Sequence, residues 1–249
     1  MFSVLMSVYY KENSDYLDSS LNSIFNQTIL PNEVVIVKDG ELTRELDDII
    51  SKYKNKFDSV IQIVEIKQNV GLGEALNIGL KNCKYENVIR MDTDDICVNT
   101  RFEKILKVLE QEGVSLVGSN AIEFEKDTTS NLRYRIFPEK HEDIKKFARV
   151  RAPFLHPTIG FKKSAVLQVG GYKSLLFFED YYLFLRMLKQ GISSYNIQEN
   201  LLYFRGNKES FKRRGGYNYI KYEMKAFMVF YKEELIEGHY CIFNILHWN

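Results

Sequence analysis

No apolar run in this chain approaches the ~18 residues that a membrane-spanning helix needs. Cysteine is scarce: Cys83, Cys97 and Cys241 are the 3 in 249 residues, and none forms a CxxC pair. An odd, widely spaced set makes neither a disulfide framework nor a zinc site, and it fits a reducing compartment. Net charge is lacking too. The 34 Lys+Arg against 33 Asp+Glu leave a formal charge of +1, so no global field argues for nucleic-acid binding. The opening Met1-Phe2-Ser3-Val4-Leu5-Met6 enters an apolar run without the basic region or cleavage site of a signal peptide. No repeat, low-complexity segment or linker divides the chain. The expectation is one globular domain over residues 1–249, in the cytoplasm, and a composition of 45% hydrophobic and 27% charged residues agrees.

What is present is an alternation. Phe2 to Val8 is a nearly continuous apolar run, the pattern of a strand covered on both faces. Asp15 to Thr28 places Leu17, Leu21, Ile24 and Phe25 on one helical face, with Asn13 or Ser14 available as cap. A strand over Glu33 to Val37 follows, then a helix capped by Thr43, a strand over Val60 to Ile66, a short helix over Gly71 to Cys83, and a strand over Asn87 to Met91. Thr100-Arg101-Phe102-Glu103 has the form of a capping box opening the next helix. Strand and helix thus alternate through the first ~110 residues, which predicts right-handed crossovers and a parallel sheet.

Beyond Val114 the alternation loosens. Val114 to Gly118 and Ala121 to Glu125 read as separate extended pieces, and His141 to Val150 as a helix. Pro153 to Thr158 reads as a stiff connection and Val169-Gly170-Gly171-Tyr172 as a turn. A helix opens at Glu179-Asp180 and ends at Gly191 as a C′ glycine. Ser193 to Gln198 and Leu201 to Arg205 look like two further strands. Between Arg205 and Lys232 lie 8 Lys/Arg against 2 Glu, interleaved with aromatic residues. That helical segment is either a core contact with its lysines in water, or a surface for an anionic membrane.

In parallel sheets ligands bind at the carboxyl ends of the strands. Three polar strand ends fall there: Ser7 to Tyr10, Lys38-Asp39-Gly40, and Asp92-Thr93-Asp94-Asp95. The last crowds three carboxylates, which repel unless a cation or a donor sits among them. Hard divalent ions take such oxygen ligands and keep positions open for phosphates. The bland alternative is a polar turn. Asn69-Val70-Gly71 enters a helix whose N-terminus favours an anion, although its glycines also serve a turn. His156, between two prolines, either lines a site or is structural. Arg213 and Arg214 offer guanidinium groups to phosphate oxygens, or form a solvated loop.

The order of these pieces, with VVIVKDG, MDTDD, HPTIGF, EDYYLFLRML and KRRGGY, resembles family 2 glycosyltransferases of the GT-A fold. The narrower resemblance is to bacterial enzymes that add hexoses during O-antigen, capsule or exopolysaccharide assembly. The resemblance implies an α/β, Rossmann-like, mostly parallel central sheet flanked by helices, with a C-terminal helical extension. Residues 1–118 would bind the sugar nucleotide, 119–205 the acceptor, and 206–249 would form the basic aromatic extension. It also implies roles. Ser7, Tyr9 and Asp39 would frame a uracil; Lys38 stands where the family often has Asp. Asp94 would contact ribose and, with Asp95, a Mn²⁺ or Mg²⁺ on the donor diphosphate, with Asp92 assisting. Asp180, beside Glu179, would be the catalytic base of an inverting hexosyl transfer. The donor would be a UDP-sugar, with galactose or glucose favoured. The acceptor would be a polyprenyl-diphosphate-linked saccharide at the inner membrane surface. Two other readings are a sugar nucleotidyltransferase, which the absence of glycine in Ser7 to Glu12 counts against, and a non-catalytic sugar-nucleotide-binding subunit.

Overall fold

The computed structural model describes residues 1–206 and 217–238. In chain order these run β1 (Phe2–Val8), α1 (Ser14–Phe25), β2 (Glu33–Asp39), α2 (Arg44–Lys56), β3 (Ile61–Ile66), α3 (Leu72–Asn82), β4 (Asn87–Arg90) and β5 (Ile96–Cys97). Then come α4 (Arg101–Leu109), β6 (Val114–Phe124), β7 (Arg133–Arg135), α5 (His141–Phe147) and a 3-10 turn at His156–Thr158. The chain continues through β8 (Gly160–Lys162), α6 (Lys163–Gln168), α7 (Glu179–Lys189), β9 (Ser193–Arg205) and α8 (Tyr217–Lys232).

One sheet joins the strands in the order β3-β2-β1-β4-β8-β6-β9-β5, with β7 paired to β6. The period of two along each inner strand sets its two faces. Val4, Met6 and Val8 of β1, with Val34 and Ile36 of β2, pack under α1, α2 and α4 beside Leu17, Ile24, Leu46 and Phe102. Leu5, Val35 and Val37 face the other way, into a core with Leu76 and Leu80 of α3, Phe184 of α7 and Phe230 of α8. Both faces are covered, which is why these strands read as continuous apolar runs.

The expected parallel sheet holds for β3, β2, β1 and β4, which pair in parallel. The rest is mixed. β8 pairs antiparallel with β4 and β6, β5 antiparallel with β9, and β7 antiparallel with β6. The stiff connection ending at Thr158 runs directly into β8, a strand of three residues, too short to leave a periodic signal. The two pieces expected after Val114 are one strand, and so are the two after Ser193. β6 and β9 run parallel over their whole lengths, with register shifts near Ser119 and Asn120 that break the alternation.

Local signals at the helix ends mostly hold. Asn13 Oδ1 accepts from the amides of Asp15 (2.9 Å) and Tyr16 (3.1 Å), and Thr43 Oγ1 from Leu46 (3.4 Å). Gly191, at φ 72°, closes α7 as a Schellman turn: its amide donates to Leu188 O and that of Ile192 to Met187 O. The capping box at Thr100 does not form. Thr100 makes no side-chain cap bond, and the Glu103 carboxylate accepts instead from the Thr28 hydroxyl at 2.9 Å, because α1 ends close by.

Gly79 is where α3 meets the sheet most closely. A Cβ there would sit 2.5 Å from Leu5 Cδ1 and 2.6 Å from Val37 Cγ2. Gly79→Ala is expected to lower stability by about 1–3 kcal/mol through overpacking, read as an earlier urea midpoint. An unchanged midpoint would mean that α3 can move off the sheet at no cost.

Candidate active site

The parallel pairing of β2, β1 and β4 brings their carboxyl ends to one edge. Arg90 lies opposite Leu5, and the Met91 amide donates to Leu5 O (3.0 Å), so the chain leaves β4 for Asp92-Thr93-Asp94-Asp95 beside the half-buried Ser7 and Tyr9. This acidic loop is tied down from several elements distant in sequence. Ser20 of α1 donates to Asp92 O (2.8 Å), and Arg205 Nε of β9 donates to Asp94 O (2.9 Å). The Arg205 amide donates to Asp95 Oδ1 at 2.8 Å. The guanidinium of Arg205 lies 3.8 Å from the Tyr16 ring centroid and 4.4 Å from that of Phe124, which fixes its orientation. At the root of the loop, fully buried Arg101 donates through Nη2 to Arg90 O (2.7 Å) and Pro157 O (2.6 Å).

Three carboxylates result, with one oxygen from each lying within 4.8 Å of the others. Asp92 pairs with the Arg90 guanidinium, itself only 1% exposed. Asp95 is wholly buried, and its Oδ2 has no hydrogen-bond partner. Burial, then the charges of Asp94 and Asp92, push the Asp95 carboxyl well above its ordinary range. Burial and the Asp92 charge likewise raise Asp94 to about 6. An orphaned buried carboxylate oxygen amid mutually repelling acids fits a hard divalent cation such as Mn²⁺ or Mg²⁺. Asp95 and Asp94 would hold it, while Asp92 is already engaged by Arg90.

The second carboxylate pair lies at the start of α7. Gly73 of α3 packs there: a Cβ on it would lie 3.4 Å from Glu179 Cγ and 3.5 Å from Tyr172 Cβ. Tyr172 is clasped by Asn77, which accepts from its amide (2.8 Å) and donates to its carbonyl (2.8 Å). Arg186 of α7 holds the preceding turn by donating to Gly171 O (2.7 Å) and Val169 O. Burial raises the Tyr172 hydroxyl pKa; the Arg90 charge opposes this, and the carboxylates of Asp180 and Asp92 add to it. Tyr172 therefore stands within electrostatic reach of both the acidic loop and Asp180. Its hydroxyl pairs with His156 Nε2 at 2.9 Å. Burial, then the Arg90 charge, depress the His156 pKa, so that ring is neutral near pH 7. Of the two readings of His156, the observed position is a buried one bonded to Tyr172.

Asp39 is buried at the end of β2. Its Oδ1 accepts from the Val70 amide (2.7 Å), and its Oδ2 from Asn69 Nδ2 (2.9 Å) and the Gly71 amide (3.1 Å). Three of roughly four lone-pair sites are thus used inside the protein. Gly71, at φ 87°, occupies the N-cap position of α3 with open space where a side chain would be, although its own amide is spent on Asp39. Lys38 pairs with Asp47 (2.8 Å) and Glu65 (2.9 Å). Arg213 and Arg214 lie outside the described residues. Sequence reasoning missed Arg90, Arg101, Tyr172 and Arg205. An Arg inside the apolar Val88-Ile89-Arg90-Met91 was the available signal; nothing local marked Arg205.

This architecture is the GT-A fold. Among solved structures it resembles the mannosyltransferase PcManGT of Pyrobaculum calidifontis in complex with GDP-Man and Mn²⁺, with a TM-score of 0.64 and 17% identity. That match covers 91% of this chain and 60% of the other. The chain belongs to glycosyl transferase family 2, whose profile matches residues 3–175. A UDP-Gal:alpha-D-GlcNAc-diphosphoundecaprenol beta-1,3-galactosyltransferase of Escherichia coli is 39% identical over 246 residues, 98% of this chain and 88% of the relative. The amylovoran biosynthesis glycosyltransferase AmsE of Erwinia amylovora is 39% identical over 228 residues, 91% of this chain and 84% of that one. The chain is accordingly a glycosyltransferase, and the nucleotidyltransferase reading falls away.

Two outcomes follow from the charges. Asp95→Asn keeps the acceptor for the Arg205 amide and removes a buried charge. Near pH 7 the metal-free variant should melt at or above the wild type. Mn²⁺ should raise the wild-type Tm by several degrees and leave the variant unmoved. A metal-induced shift surviving in the variant would exclude Asp95 as a ligand. Glu179 is raised from 4.5 to about 7 by burial, with Asp180 adding to the effect. Its folded value lies above the unfolded one, so its ionisation weakens folding as pH climbs from 4.5 through about 7. Glu179→Gln should match the wild-type Tm below pH 4.5 and exceed it at pH 8; equal melting at pH 8 would refute the burial argument.

Proposed function

We propose that the protein is a metal-dependent inverting hexosyltransferase that moves galactose from UDP-galactose onto a saccharide linked to polyprenyl diphosphate. UDP-glucose is the second donor to test. The reaction would take place at the inner face of the cytoplasmic membrane, during assembly of a surface polysaccharide. The observation that carries the reading is the acidic cluster with the orphaned, buried Asp95 oxygen, in a chain matched along nearly its whole length by a galactosyltransferase with that donor and that class of acceptor.

On this reading Ser7 and Tyr9 flank the uracil, and the Tyr9 ring offers a face for stacking. Asp39 acts chiefly through the Asn69–Gly71 loop that it organises, with one acceptor site left for the base. Asp94 and Asp95 would hold the divalent cation, which when bound would supply positive charge to the departing diphosphate. Arg90 keeps Asp92 from adding an unbalanced charge beside them. Asp180 accepts the proton of the acceptor hydroxyl as its oxygen attacks the anomeric carbon from the face opposite the diphosphate. The C1–O bond to UDP breaks as the new C1–O bond forms, so an α-linked donor yields a β-linked product without a covalent intermediate. The start of a helix is a rigid place from which to aim that carboxylate, and the first-turn position also favours its charge. Glu179, protonated over more of the pH range, sits beside it as a hydrogen-bonding group for the acceptor.

The test is turnover of UDP-galactose, UDP-glucose and UDP-N-acetylglucosamine with a synthetic N-acetylglucosaminyl diphosphate lipid, with the anomeric configuration of the product read by NMR. Asp180→Asn is expected to lower kcat by about 10²–10⁴-fold while Mn²⁺-dependent UDP binding persists in calorimetry. An α-linked product, or wild-type turnover in the variant, would overturn the assignment.

A further inference from the structure

The outer face of α8 combines exposed lysines with exposed methionines. The helix docks on α7 through Ala226, Phe227 and Phe230, with Phe230 ring centroids 5.1 Å from Tyr181 and 5.8 Å from Tyr182. Residues spaced three and four apart on the opposite side point to solvent. Lys221, Met224, Lys225, Met228 and Lys232 are all exposed, the two methionines at 42% and 55%. With Val229 they line a shallow groove of about 370 Å³. Glu223 is the one carboxylate within α8, and it lies on the half-buried side.

We propose that this face docks on an anionic phospholipid bilayer. Methionine is ordinarily buried, so two neighbouring exposed methionines ringed by lysines present a flexible apolar surface and a positive one side by side. A bilayer of anionic lipid satisfies both at once. The thioether side chains enter the acyl boundary, and the lysine stems lie along it with their ammonium groups among the phosphates. No helix among the described residues is long and apolar enough to cross a membrane.

The face continues toward the candidate base. Tyr222, on the flank of α8, has its ring 5.7 Å from that of Phe177, and the Tyr219 ring lies at the same distance. Phe177 is exposed, holds a left-handed backbone at φ 70°, and follows Leu176, which is 50% exposed. An apolar, strained loop immediately before Glu179-Asp180 thus adjoins the basic helix. Docking of α8 brings that loop to the headgroup layer, where the diphosphate of a lipid-linked acceptor lies. This last consequence rests on the acceptor proposed above; the docking itself does not.

The test is co-sedimentation of the full chain with vesicles of phosphatidylglycerol and phosphatidylethanolamine, beside vesicles of phosphatidylcholine alone. Binding to the anionic vesicles at low salt, weakened by high salt and absent from phosphatidylcholine, is expected. Each lysine near an anionic surface strengthens binding about fivefold. Lys225→Glu with Lys232→Glu should therefore weaken it at least about thirtyfold, with unchanged circular dichroism and unchanged turnover of a short-chain, water-soluble acceptor. Turnover of the same saccharide diphosphate embedded in vesicles should fall. Lack of wild-type binding to anionic vesicles, or binding indifferent to the two substitutions, overturns the docking even where soluble-acceptor turnover upholds the transferase. Vesicle binding without turnover of either acceptor upholds the docking and overturns the acceptor. A dimer in sedimentation equilibrium that the same substitutions disperse, without vesicle binding, would assign the face to a second copy of this chain.

Discussion

Three carboxylates share less than 5 Å at the end of β4, one of them completely buried, and everything around them serves to make that tolerable. Burying an anion among anions costs several kcal/mol unless cations and donors compensate. The compensation comes from arginines. Arg90 pairs with Asp92, Arg205 supplies its backbone amide to Asp95 and its side chain to Asp94 O, and Arg101 secures the carbonyl of Arg90 from below. Arg90 retains two unpartnered nitrogens and Asp95 one unpartnered oxygen. The polar network is therefore complete only in part.

That constraint reaches far along the chain. Arg205 ends β9, more than a hundred residues beyond the loop it holds, and its guanidinium is sandwiched between Tyr16 of α1 and Phe124 of β6. Tyr172 bonds to His156, and it is positioned by Asn77 of α3 and, through the preceding turn, by Arg186 of α7. Elements from both halves of the chain accordingly meet around the acidic loop. The mixed strands β8, β6 and β9 extend the parallel half of the sheet and bring the Pro153–Thr158 connection and Arg205 to the acidic loop.

Much of this was readable along the chain. The β1 to α4 alternation, the caps at Asn13 and Thr43, the C′ glycine at Gly191 and the acidic cluster are all local, and local sterics and hydrogen bonding decide them. The three-residue β8 and the merging of two extended pieces into β6 were not readable, because a short strand carries no period and a register shift disguises a long one. The capping box at Thr100 failed for a related reason: a nearby hydroxyl competed successfully for Glu103.

The sequence by itself therefore determined which residue types are available and in what order: carboxylates after β4, a carboxylate pair opening α7, a basic aromatic helix near the end. Tertiary structure alone decided their states. Asp39 became an organiser of the Asn69–Gly71 loop because β2 and α3 bring the loop's amides onto its oxygens. His156 became a neutral partner of Tyr172 because the fold buried it beside Arg90. Arg205 became part of the acidic site because β9 runs parallel to β6 and ends above Asp95. Each of these depends on burial and on neighbours distant in sequence, and dielectric and proximity are properties of the packed chain rather than of its order.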